Sequence, residues 1–113
     1  MVDTEPWTAE ARATAKALFG SPTRVVLGAW ILARKGEAFF QQEAQDALRL
    51  LGEPPTGVRL ELVTFVESLL LDRFPDGRRL YFVQKANPIW SVYESLSAAF
   101  NLPARLSVAP PSI

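Results

Sequence analysis

The run PTGVRLELVTFVESLLLDRFPDGRRLYFVQ, residues 55–84, decides the fold. Its first half spaces apolar side chains at Val58, Leu62, Phe65, Val66 and Leu69, the ladder of one helical face. That spacing predicts a helix over residues 55–71. Pro55 can open it, because the N–H that proline lacks has no partner in a first turn. The second half places Pro75-Asp76-Gly77 between Arg73-Phe74 and Arg78-Arg79-Leu80-Tyr81-Phe82-Val83. Asp-Gly supplies the positive φ of a tight turn and the flanks are rich in strand formers, so a hairpin is expected over about 72–84.

Upstream, Glu53-Pro54-Pro55 reads as a turn, and Phe40, Ala44, Ala47, Leu48 and Leu51 repeat the ladder in a helix expected over Phe39–Leu51 and ended by Gly52. Ser21 can cap a further helix with Pro22 in its first turn, running to Lys35 and ending at Gly36. Val25 to Ala33 leave that helix little polar surface, so it is either the centre of the core or shares a face with a second subunit. Thr8 caps a first helix over Ala9–Phe19, stopped by Gly20. Downstream, Asn87-Pro88 opens a last helix to Phe100, striped by Ile89, Tyr93, Leu96 and Phe100 with Trp90 alongside. The expected architecture is mainly α with a small β-hairpin: about five helices in one domain over residues 1–101. Residues 1–6 are expected to fray. An irregular tail, 102–113, carries Pro103, Pro110 and Pro111.

Composition narrows the chemistry. The 113 residues contain no His and no Cys, which removes thiolate and imidazole metal sites, cysteine nucleophiles, Ser-His-Asp triads and disulfides. Carboxylates are present but nothing groups them. Gly20, Gly28 and Gly36 mark helix ends and a packing point rather than a phosphate-binding loop. No enzyme activity, cofactor or metal is expected. Twelve basic and twelve acidic residues cancel, so bulk charge argues for no anionic partner. Position does: from Arg73 to Lys85 the bases Arg73, Arg78, Arg79 and Lys85 face one acid, Asp76. The acidic N-terminus does not look like a targeting signal, and the longest apolar run, Val25 to Ala33, is too short to span a bilayer. A cytoplasmic protein is expected.

These pieces, in this order, resemble the winged helix-turn-helix transcription regulators of the ArsR-like class. Leu18-Phe19-Gly20-Ser21-Pro22-Thr23-Arg24-Val25 looks like the opening of that class's first core helix. Gln42-Glu43-Ala44 to Leu48 looks like its positioning helix, Pro55 to Leu71 its recognition helix, and Asp76-Gly77-Arg78-Arg79-Leu80-Tyr81-Phe82 its wing. The resemblance spans roughly residues 15 to 100. It lacks the Cys and His through which many members sense metals. It implies a homodimer joined through the terminal helices, binding double-stranded DNA with one recognition helix per subunit in the major groove. Trp7, Leu18, Trp30, Trp90, Tyr93, Leu96 and Phe100 are the candidate interface residues, Trp30 and Trp90 being equally suited to the core.

Base edges are read mainly by Arg, Lys, Asn and Gln. With Leu62 at the centre of the buried face, the opposite face carries Gly57, Leu60, Thr64, Glu67 and Leu71, with Thr56 at its edge and Arg59 at its flank. Leu60 suits a thymine methyl, and Thr64 can donate or accept. Arg73, Arg78, Arg79 and Lys85 suit phosphates beside the groove. Gln41 and Gln42, at a helix N-terminus, suit a phosphate contact. The expected function is dimeric, DNA-binding transcriptional regulation. The alternative is a winged-helix protein–protein interaction module or adaptor that does not bind DNA.

Overall fold

The structure is a computed structural model and describes residues 7–100 and Leu102. Helix α1, Ala9–Phe19, starts where Thr8 Oγ1 accepts the Ala11 N–H at 3.0 Å and stops at left-handed Gly20. Helix α2, Pro22–Ala33, starts where Ser21 Oγ accepts the Arg24 N–H at 3.1 Å. It ends earlier than the expected Lys35, because Lys35 and Gly36 both turn to positive φ, 55° and 85°.

The expected helical start at Phe39 is corrected. Phe39–Phe40 form a short strand, β1, and helix α3 covers only Gln41–Arg49, with Leu50 and Leu51 beyond it. The Phe40 N–H donates to Glu43 Oε1 at 3.0 Å, so Glu43 caps the helix from within. The pairing of β1 sends Phe39 into the core and leaves Phe40 on the other face.

Helix α4, Pro55–Glu67, also ends short of the expected Leu71. Leu69 takes φ 64°, the Leu69 N–H donates to Val66 O (3.1 Å) and the Leu70 N–H to Phe65 O (2.9 Å). These two bonds are a Schellman closure, and Leu70 and Phe65 both bury beneath it. The closure reverses two expectations. Leu69, assigned to the buried ladder, is 59% exposed, and Leu71, assigned to the outer helix face, is the buried first residue of a strand.

Strands β2, Leu71–Asp76, and β3, Arg79–Gln84, form the hairpin, and β1 completes an antiparallel sheet of order β1-β3-β2. Asp76 pairs with Arg79, so the turn is Gly77-Arg78, one residue later than the expected Asp76-Gly77. Gly77 has φ 67° and Arg78 does not follow it into positive φ, the pattern of a type II′ turn. Pro75 lies in the edge strand, where prolines are tolerated.

The core is mainly aromatic and aliphatic, and α2 is its centre: Val25, Val26, Leu27, Ala29, Trp30 and Ile31 are all buried. Helix α5, Trp90–Ala99, crosses α2 at Gly28, where an added Cβ would lie 2.2 Å from Tyr93 Cδ1. The bare glycine lets the Tyr93 ring sit against the α2 backbone. Trp90 Nε1 donates to Lys85 O (3.0 Å) and Leu70 O (3.2 Å), tying α5 to both ends of the hairpin. Leu102, expected to open the irregular tail, is fully buried. The rest of that tail and residues 1–6 lie outside the described residues. Among the described residues no helix is long and apolar enough to cross a membrane.

A left-handed leucine costs on the order of 1 kcal/mol relative to glycine. Leu69→Gly should therefore raise stability by up to about 1 kcal/mol in urea unfolding. A loss instead would mean that the exposed leucine side chain contributes packing that outweighs its backbone strain.

Candidate functional site

The turn joining α3 to α4 is fastened by a buried carboxylate. Glu53 is 1% exposed. It accepts hydrogen bonds from Trp7 Nε1 (2.7 Å), Thr23 Oγ1 (2.7 Å), and Arg12 Nε (2.8 Å) and Nη2 (3.1 Å). Burial pushes the Glu53 carboxyl up. The hydrogen bonds from Arg12, Trp7 and Thr23 and the Arg12 charge outweigh it and hold the group below the ordinary carboxylate range. The turn is thereby fixed to α1 and α2 at once.

A second clamp sets the middle of α4. Arg24 Nε meets Glu61 Oε1 at 2.8 Å, and Ser21 Oγ donates to Glu61 Oε2 at 3.0 Å. Gln45 Nε2 donates to Pro55 O at 2.9 Å, joining α3 to the first residue of α4. The helix is held at its entry and on its inner flank, and its outer face is left to solvent.

That face differs from the expected one. Exposed along α4 are Thr56, Arg59, Leu60 (54%), Val63 (45%) and Glu67. Thr64 is half-buried and its hydroxyl donates back to Leu60 O at 3.3 Å. Gly57 is half-buried, with Thr23 and Pro54 nearby. Val63 was not among the expected outer residues. It follows Leu62 directly, about 100° further round the helix, and so lies on the flank rather than on the buried face.

The hairpin presents its arginines in three directions. Cross-strand partners share a sheet face, so Arg73, opposite Phe82, lies on the core-facing side. Arg79 lies on the outer side, its guanidinium 4.0 Å from the Phe40 ring centroid, and Arg78 occupies the turn. All three are exposed. Lys85 lies just past the end of β3, away from the turn, 3.5 Å from Asp72. The outer side also carries an aromatic row missed in the sequence. Phe40, Tyr81 and Phe74 cross the three strands with ring centroids 5.8 Å apart at each step. The hairpin was legible there, but Phe40 read as helix, so its place beside Tyr81 was not.

The structure thus brings Thr56, Arg59 and Leu60 together on one helix face. It brings Gln41, Gln42 and Arg79 together around a cleft of about 460 Å³, also lined by Phe40, Leu80 and Phe82. It separates Arg73 from Arg79 across the sheet, and Gln42 is engaged with Asp46 at 2.8 Å. Of the candidate interface residues, Trp7, Trp30, Trp90 and Tyr93 are buried within this one chain, Leu96 and Phe100 pack partly against the same core, and Leu18 is 69% exposed. Compared with protein-family models, curated proteins and solved structures, the chain gives no significant match.

Because the folded carboxyl of Glu53 titrates below its unfolded value of about 4.3, its stabilisation is present above that pH and lost as pH falls through the folded value. Glu53→Gln should cost on the order of 3 kcal/mol at neutral pH, since it leaves buried donors facing an amide. The same variant should flatten the loss of stability below about pH 4 in an acid titration of unfolding. An equally steep acid limb in the variant would place the responsible carboxyl elsewhere.

Proposed function

We propose that this chain is a winged helix-turn-helix protein that binds double-stranded DNA and regulates transcription in the cytoplasm as a homodimer. The observation that carries this reading is the pairing of a braced helix with an exposed cationic hairpin. Helix α4 is fastened through Glu53 and Glu61 with its outer face open, and the adjoining β2–β3 hairpin exposes Arg73, Arg78 and Arg79. The element order α2-β1-α3-α4-β2-β3, with β1 completing the sheet, supports the winged-helix assignment. In that reading α3 positions, α4 enters the major groove and the hairpin rides the backbone beside it. Exposed apolar residues on or beside the terminal helices, Leu18, Phe19, Ile89 and Val92, support subunit pairing through α1 and α5.

One observation favours a second reading. Leu60 and Val63 on α4, with Phe74 in the outer aromatic row, are exposed apolar side chains that also suit a protein partner.

The two readings separate on fluorescence anisotropy of the full chain with duplex DNA across a salt series. DNA binding should weaken steeply as salt rises, because neutralised phosphates release counterions. Arg78→Ala with Arg79→Ala should weaken binding across all sequences and reduce the salt slope by about one for each phosphate no longer neutralised. No binding at low salt would exclude the DNA reading and favour the interaction module.

A further inference from the structure

Helix α4 offers few polar groups for base edges. Of Arg, Lys, Asn and Gln, its exposed face carries only Arg59; the other exposed polar side chains are Thr56, in the first turn, and Glu67, whose carboxylate repels phosphate. The Thr64 hydroxyl is bonded to Leu60 O. The Glu61 carboxylate is held by Arg24 and Ser21. Gln45, on the neighbouring helix, donates to Pro55 O. Leu60 and Val63 remain, 54% and 45% exposed and neighbours across one helical turn. Because α4 is fixed at its entry and inner flank, they present apolar surface in a set position rather than on a mobile loop.

The major groove offers one apolar feature to such a surface, the C5-methyl group of thymine. 5-Methylcytosine carries the same group at the same ring position. We propose that Leu60 and Val63 read C5-methyl groups of pyrimidines in the major groove. The preferred sites are then defined by where those methyls stand, and Arg59 supplies the principal polar contact. This inference rests on the DNA-binding reading above. Burying one methyl against an aliphatic side chain contributes roughly 0.8 kcal/mol, or about four-fold in affinity for each methyl buried.

The test first selects duplexes from a randomised pool with the full chain. The best duplex is then remade with deoxyuridine for thymidine, which removes the methyl and leaves every hydrogen-bonding group in place. A third form carries 5-methylcytosine at cytosines. The uridine form should bind about four-fold more weakly for each methyl removed from the interface, and Leu60→Ala with Val63→Ala should bind the thymine and uracil forms equally. Tighter binding of the 5-methylcytosine form would extend the readout to both pyrimidines, and a loss confined to uridine would assign it to thymine. Equal affinity of the unsubstituted protein for thymine and uracil duplexes overturns the methyl readout and leaves DNA binding standing. Salt-sensitive binding with no enrichment from the pool does the same. Absence of binding to any duplex at low salt overturns both.

Discussion

The Glu53 carboxylate lies where α1, α2 and the entry to α4 meet, and the orientation of α4 depends on it. A buried anion is unfavourable by itself, and four hydrogen bonds from three side chains offset that cost here. The turn it belongs to is otherwise tied to α3, by backbone bonds to Leu48 and Arg49 and by Gln45 to Pro55. Gly52, Pro54 and Pro55 are exposed, and Leu51 is only partly buried. An apolar side chain at position 53 would bury comparable area without directional partners, whereas the carboxylate fixes distance and angle to Trp7, Arg12 and Thr23 together. Arg12 stays 42% exposed while the Glu53 side chain is fully buried, so the cation is desolvated far less than the anion.

This bracing gives the helix and the hairpin different mechanics. Helix α4 is pinned on its inner side by Val58, Leu62 and Phe65 in the core and on its flank by the Arg24–Glu61 pair. The hairpin has one buried residue in β2, Leu71, and one in β3, Phe82. Beyond them its order comes from strand pairing and from the Phe40–Tyr81–Phe74 row, where cross-strand aromatic pairs each contribute roughly 0.5–1 kcal/mol. The tip, Gly77-Arg78, lies beyond both buried residues, and Arg79 next to it packs on the Phe40 ring. Trp90, bonded to the carbonyls of Leu70 and Lys85, holds its base.

What the sequence made legible follows from which interactions are local. Thr8, Ser21-Pro22 and Gly20 set helix ends through bonds to residues three or four away, and those ends fall where the sequence placed them. Strand β1 was not legible, because two residues carry no periodicity and Phe39-Phe40 became a strand only by meeting Phe82 and Tyr81. The end of α4 was hidden for a related reason. Ser68-Leu69-Leu70 contains no glycine to announce a left-handed residue, and the apolar ladder runs on through Leu69 while the chain has already turned. Glu53 read as a turn residue because its partners lie 30 to 46 positions away in sequence.

The same distinction between local and distant explains how a neutral chain can carry a positively charged hairpin. Among the described residues five ion pairs consume Arg12 with Glu53, Arg24 with Glu61, Arg34 with Glu37, Arg49 with Asp46, and Lys85 with Asp72. Among the described residues of α4 and the hairpin, these pairings leave Arg59, Arg73, Arg78 and Arg79 against Glu67 and Asp76. At physiological ionic strength exposed charges act over about 8 Å, so an acid farther off than that does little to offset those arginines. Zero net charge is a sum over the whole chain and describes no single region of it. Of those arginines Arg59, Arg73 and Arg78 make no ion pair among the described residues, and Arg79 rests on the Phe40 ring, so their charge is left to the surface of α4 and the hairpin.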